Sequence, residues 1–201
     1  ALIFFGTFLM ISFMRSGDLK TVILAVASAV FGGAIILRFK PYIANRFEAW
    51  GHVWEYSNTT GYQQARVLTY AASGGLFGVG LGNGYLKYVA ASESDLVFGL
   101  MCEEVGLIMA LTVAAAIGAL FFYARAITTR SRSTFYSVSA CCAAGLFVLQ
   151  SMLNIFGATD ILPLTGVTLP FISTGGSSMI ACWGPVSYTH LRAHETTLHL
   201  V

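Results

Sequence analysis

Charge is what this sequence has least of. Asp, Glu, Lys and Arg make up 10% of its 201 residues, against 56% hydrophobic residues and a mean hydropathy of +0.73. A soluble domain carries roughly 25% charged residues to cover its core with a solvated shell, so this composition excludes one and leaves a membrane protein. The same shortage excludes an intrinsically disordered chain, which needs low hydrophobicity and high net charge. A net charge of +2 provides no electrostatic footprint for phosphodiesters, and no nucleic-acid partner is expected. Paired cysteines are missing too: Cys102, Cys141, Cys142 and Cys182 lie in apolar runs without C-x-x-C spacing and read as buried free thiols. No initiator methionine or basic n-region precedes the opening Ala1-Leu2-Ile3-Phe4-Phe5. No signal peptide is read there, and the sequence is expected to begin inside a longer polypeptide.

What is present is apolar length. A helix needs about 20 apolar residues to cross a bilayer core of roughly 30 Å. Residues 19–39, 96–124 and 135–158 are three such runs, and the shorter runs 1–14 and 179–184 read as partial spans. The expected fold class is all-α, a polytopic transmembrane helix bundle with a large extracytoplasmic loop over residues 40–94. Orientation follows from the basic residues between spans. Arg125, Arg130 and Arg132 mark the loop after the second run as cytoplasmic, and Arg15 and Lys20 fall on that side by alternation. The loop 160–178 has one acid and no base, and the charges of 40–94 nearly balance.

That long loop is the compositional anomaly. It holds Tyr42, Phe47, Trp50, Trp54, Tyr56 and Tyr62, the amides Asn58, Gln63 and Gln64, and a glycine-rich stretch. Ordered loops longer than about 15 residues are usually functional. Amphipathic aromatics suit the membrane interface, and residues 66–73 are expected to form a short helix on the bilayer surface. The tail 185–201 breaks with everything before it, resembles adaptor-derived translated sequence, and is set aside from the fold. A zinc site from His190, His194 and Glu195 is disfavoured, since such a tail offers no surrounding groups to orient the ligands. The sequon Asn58-Thr59-Thr60 reads as a chance match.

The glycine run from Gly74 to Gly84 lacks the G-K-[ST] of a P-loop and the spacing G-x-G-x-x-G. It reads as a turn-rich segment of close backbone approach, or as N–H groups facing an anionic ligand, with Lys87 adding a point charge for phosphate. Asp95 precedes an apolar run, where Ser94 or Asp95 is expected to cap a helix. It is also placed to act as a general base on a hydroxyl. Glu103 and Glu104 lie two turns further on, where an ionised acid is costly and functional by default. On a continuous helix Glu103 would be about 80° around from Asp95, and Glu104 on the opposite side. Gln150 and Asn154 share a helix face, as interhelical glue or as part of a polar path. Residues 162–178 form a loop rich in proline and hydroxyl residues, of a kind tolerated at this depth only inside protein or around a watery cavity.

Residues 162–178 resemble the L-P-x-T-G-x-x-L-P-F-x-S-x-G-G-S-S signature of the SEDS (shape, elongation, division, sporulation) family. Gly61-Tyr62-Gln63, the run Ser73 to Gly82, Asp95-Leu96-Val97-Phe98 and Glu103-Glu104-Val105-Gly106 follow the family's order, and the similarity covers residues 1–184. The resemblance implies the second half of a ten-helix glycosyltransferase of the bacterial cytoplasmic membrane. Such an enzyme polymerises lipid II, releases undecaprenyl pyrophosphate, and works with a class B penicillin-binding protein and other divisome or elongasome membrane proteins. Asp95 matches the family's catalytic aspartate in H-T-D-F. Here the segment reads Glu93-Ser94-Asp95-Leu96, without the histidine, and these departures do not separate the division, elongation and sporulation subgroups. Arg46, Arg66, Lys87, Glu103, Gln150, Asn154, Ser173, Gly175, Gly176 and Ser177 are the substrate-binding candidates. Arg46, Arg66, Lys87 or a divalent cation, Mg or Mn, would neutralise the pyrophosphate; metal ligands are not assigned. The rival classes are a lipid II flippase or transporter, and a non-catalytic scaffold for a penicillin-binding protein.

Overall fold

The computed structural model describes residues 2–39, 41–128 and 134–184. Lys40, Arg130, Arg132 and the whole tail 185–201, including His190, His194 and Glu195, lie outside the described residues. Every regular element among the described residues is helical: α1 (Leu2–Ser16), α2 (Leu19–Phe39), α3 (Pro41–Ala49), α4 (Tyr62–Gly74), α5 (Val97–Glu104), α6 (Leu107–Thr128) and α7 (Thr134–Ala158). A further helix, α8, occupies residues 176–184, and a 3-10 turn spans Leu86–Tyr88.

The apolar runs become helices whose outer faces want lipid. In α6 the stretch Leu107–Ala124 has a mean hydropathy of 2.2, yet only 6% of it is buried. A helix apolar all round and uncovered by protein is at home only in hydrocarbon. Val138–Ala158 of α7 is long and apolar enough to cross as well, and a third of it is buried. α7 is the hub, packing on α1, α4, α5 and α6. Its contact with α1 is reciprocal: a Cβ at Gly6 would stand 2.3 Å from Leu149 Cδ2, and one at Gly145 2.5 Å from Met10 Sδ. Each helix thus offers a glycine gap to the other's long side chain, the small-residue packing that substitutes for hydrophobic drive in lipid. Between α1 and α2 the chain turns at Asp18, whose Oδ1 accepts the Lys20 N–H at 2.9 Å and caps the first turn of α2.

The expected single helix over 96–124 is divided. α5 stops at Glu104, Gly106 has φ +96°, and α6 begins at Leu107. A Cβ at Gly106 would sit 2.4 Å from the Leu76 carbonyl oxygen, so only glycine fits both the dihedral and the space. The break frees carbonyls and N–H groups that must find partners at this depth, and the glycine run supplies them. The N–H groups of Val79 and Gly80 donate to the carbonyls of Glu103 and Glu104 (2.9 and 3.0 Å), and those of Leu107 and Ile108 donate to Gly75 and Leu76 (3.1 and 3.4 Å). The run therefore takes the turn-rich form of close backbone approach, with the Val79 and Gly80 N–H groups committed to backbone carbonyls. Glu103, Glu104 and Gly106 are the only sequence marks of the break, and the acids read as intramembrane groups within one helix.

The surface helix expected at 66–73 is α4, and it does not simply lie on the bilayer. Gln64, Ala65, Val67 and Gly74 are buried. Val67 joins Leu86, Val89, Leu96 and Ala158 in a core cluster, entering the gap at Gly99, where a Cβ would lie 2.5 Å from Val67 Cγ1.

Candidate functional site

Asp95 lies in a turn just before α5, not on the helix. The preceding Ala91 has φ +63°, and its carbonyl accepts the N–H groups of Ser94, Asp95 and Leu96 at 3.0–3.2 Å. The expected cap is absent, because the N-cap of α5 is Leu96 and makes no side-chain bond. The Asp95 carboxylate is half-buried and forms no hydrogen bond or ion pair among the described residues. Gly166, at φ +66°, lies beside it: a Cβ there would approach Asp95 Oδ2 to 3.2 Å.

The turn is held by the proline-rich loop that ends at α8. Asn154 Nδ2, on α7, donates to the carbonyls of Asp95 (2.9 Å) and Val167 (2.6 Å). Ser173 Oγ donates to the Ser94 carbonyl at 2.6 Å and accepts the Leu169 N–H at 2.7 Å. Thr174 reaches the Glu93 carbonyl with its N–H (2.9 Å) and its hydroxyl (3.1 Å). Gln150 Nε2 donates to Thr168 Oγ1 at 3.0 Å, and Thr168 shares a hydrogen bond with Ser178 at 2.9 Å.

Several sequence-based expectations change here. Glu103 is 1% exposed, and its two oxygens are spent on the Tyr85 and Leu86 N–H groups at 2.7 and 2.9 Å. Because Asp95 is off the helix, the angle reckoned between the two carboxylates does not apply. Gln150, Asn154 and Ser173 likewise spend their donors on the protein's own loop. Gly175, Gly176 and Ser177 are exposed at the start of α8, where the Gly175 carbonyl accepts the Met179 N–H. Arg46 Nη1 donates to the Leu164 carbonyl at 2.8 Å, two residues from Gly166 and so on the Asp95 loop. Arg66 stacks over Tyr62 at 5.2 Å, and Lys87 lies over Tyr88 at 5.2 Å while donating to the Gly82 carbonyl. Neither contacts Asp95. Neither Thr174 nor Thr168 was singled out, because both fall at variable positions of the signature motif.

A polar cavity of about 270 Å³ lies between Asn45, Arg46, Thr60, Gln63, Gln64 and Leu164. An apolar one of about 370 Å³, between α4 and α5, carries no chemistry that Asp95 could use. Among the described residues no three His, Cys, Asp or Glu side chains converge on a metal position.

The wall beside the polar cavity is tied to the 160–164 segment. Trp50 Nε1 donates to the Ile161 carbonyl at 3.1 Å, and Asp160 Oδ1 accepts from the Gly51 N–H (3.3 Å) and Gln64 Nε2 (3.4 Å). Burial pushes the Asp160 carboxyl above its ordinary 3.8, outweighing the Gly51 N–H and His52, which pull it down. The folded state then holds this proton more tightly than the unfolded chain. Stability therefore falls as pH rises from 3.8 through the raised value. Asp160→Asn keeps the Oδ1 acceptor and suits the φ of +61°, which asparagine tolerates well. In thermal melts in detergent it should raise the melting temperature at neutral pH, with the gain vanishing toward pH 3.8; a gain independent of pH would refute the titration account.

The family model described as cell cycle protein, FtsW/RodA/SpoVE, matches residues 1–188. The chain belongs to this family. Among FtsW/RodA/SpoVE proteins it is 31% identical over 173 residues to the probable peptidoglycan glycosyltransferase FtsW of Bacillus subtilis, covering 79% of this chain and 43% of that protein. Against the FtsW of Dichelobacter nodosus the identity is 40% over 151 residues, 72% of this chain and 38% of the relative. Against the peptidoglycan glycosyltransferase RodA of Mycobacterium leprae it is 31% over 183 residues, 90% and 39%. The chain thus spans about two fifths of the length of these relatives. The fold matches, with a TM-score of 0.69 and 20% identity, a chain solved in work on the structural coordination of polymerization and crosslinking by a peptidoglycan synthase complex, covering 92% of this chain and 52% of that one. An all-helical membrane protein of the FtsW/RodA/SpoVE family is therefore established.

Proposed function

We propose that the full-length protein is a peptidoglycan glycosyltransferase of the bacterial cytoplasmic membrane, with Asp95 as its general base. The observation that carries this is a half-buried carboxylate, unpartnered among the described residues, on a turn whose backbone is tied down on both sides. Asp95 takes the proton of the 4-hydroxyl of an acceptor GlcNAc as that oxygen attacks the anomeric carbon of a MurNAc. The C–O bond to undecaprenyl pyrophosphate breaks, and the leaving group departs as a stable anion. One carboxylate suffices for inversion by direct displacement, since no covalent intermediate is needed. Catalysis rests on positioning and on neutralising the pyrophosphate. Arg46 is the best placed of the basic candidates, because it shares the 164–166 segment with Asp95.

In this reading residues 1–184 are the carboxyl-proximal part of a multi-pass domain, the basic loop 125–133 is cytoplasmic, and the Asp95 turn opens on the outer face. A class B penicillin-binding protein is the proposed partner, and lipid II the substrate. Reconstituted with lipid II in proteoliposomes, the full-length protein is expected to form glycan polymer, read on a gel. Lipid translocation without polymer would favour a carrier, and partner binding without either activity a scaffold.

A further inference from the structure

We infer that Ser173, Thr174 and Asn154 are positioning residues that set the two backbone dihedrals of Asp95. This rests on Asp95 being the base proposed above. The Ser94 carbonyl belongs to the peptide plane before the Asp95 Cα, and the Asp95 carbonyl to the plane after it. Ser173 holds the first at 2.6 Å and Asn154 the second at 2.9 Å. Because peptides are planar and leave only φ and ψ soft, fixing both planes fixes the direction in which the Asp95 Cβ leaves the chain. Thr174 extends the hold to the Glu93 carbonyl at 3.1 Å.

The donors are oriented as well as near. Ser173 Oγ accepts the Leu169 N–H, which turns its own proton toward the Ser94 carbonyl. Asn154 cannot flip, since its Oδ1 would then face two carbonyls. In the orientation it keeps, Oδ1 is buried without a partner. A residue retained for packing alone would be better apolar, because an unpaired buried acceptor is unfavourable; the amide is held there for what its nitrogen does. The carboxylate itself is left unbonded, so the turn is rigid while the reacting group stays available.

The full-length protein tests this in the lipid II polymerisation assay. Ser173→Ala and Asn154→Leu should lower kcat about ten- to a hundredfold with KM for lipid II held within about twofold. Ser173 and Asn154 are buried, so exposed Thr174 supplies the variants that spare folding: Thr174→Val should lower kcat by a smaller factor, and Thr174→Ser should restore it. A rise in KM at unchanged kcat would overturn the inference, placing these side chains on the substrate instead. Wild-type kcat in all three variants beside an inactive Asp95→Asn would overturn the positioning role alone. Asp95→Asn at the wild-type rate would overturn the catalytic reading and this inference with it.

Discussion

Asp95→Asn in the full-length protein is expected to slow lipid II polymerisation by about 10²–10⁴-fold, the usual contribution of a positioned general base, equivalent to roughly 2.7–5.4 kcal/mol of barrier. Folding should be untouched. The carboxylate makes no hydrogen bond or ion pair among the described residues, and asparagine has its shape. The turn is held through backbone carbonyls that the substitution leaves in place. Asp95→Glu is the sharper variant. It keeps the base but moves it outward by one methylene, and a displacement of about 1 Å can cost a hundredfold. Equal polymer yield from wild type and Asp95→Asn, at matched amounts of monodisperse protein, would remove Asp95 from the chemistry.

Glu103→Ala should act on stability instead. One buried backbone donor, that of Leu86, and one part-buried donor, that of Tyr85, lose a carboxyl acceptor, at roughly 0.5–3 kcal/mol for each such bond. Leu86 is fully buried, so water cannot readily replace the carboxylate. Because domains are only marginally stable, the variant should accumulate poorly and melt early. Glu103→Gln, retaining one acceptor oxygen, should fall between. The decisive comparison is activity per folded molecule: near wild type, it assigns Glu103 to the turn at 85–88. A folded variant with greatly raised KM would return it to the substrate.

The contrast between these two acids shows what was legible in the sequence. Both stood out because ionised groups are scarce in an apolar chain, and the family resemblance singled out Asp95. The end points of α2 and α7 were readable too, since charges and turns bound those apolar runs. Which acid is bonded was not readable, because that depends on where residues 85 and 86 come to lie, and nothing local to Glu103 encodes it. The same holds for Ser173 and Gln150. Their polarity marked them as important, but the sequence could not say whether their donors face a substrate or, as for Ser173, a carbonyl 79 residues away and, for Gln150, the Thr168 hydroxyl. The split of residues 96–124 escaped for a different reason: hydropathy is blind to dihedral angles, and a lone Gly106 in an apolar run is weak punctuation.

The stretch from Gly74 to Gly84 has the composition of a flexible linker, and linkers tolerate insertions and deletions. This one cannot. Residues 75 and 76 are bonded to 107 and 108, and residues 79 and 80 to 103 and 104, so its two halves are indexed against the two sides of a helix break. Adding or removing a residue at Phe77 or Gly78 would satisfy one side and strand the other. For its apparent looseness, the run is a ruler of fixed length, and family members that keep the break should keep its residue count while their side chains drift.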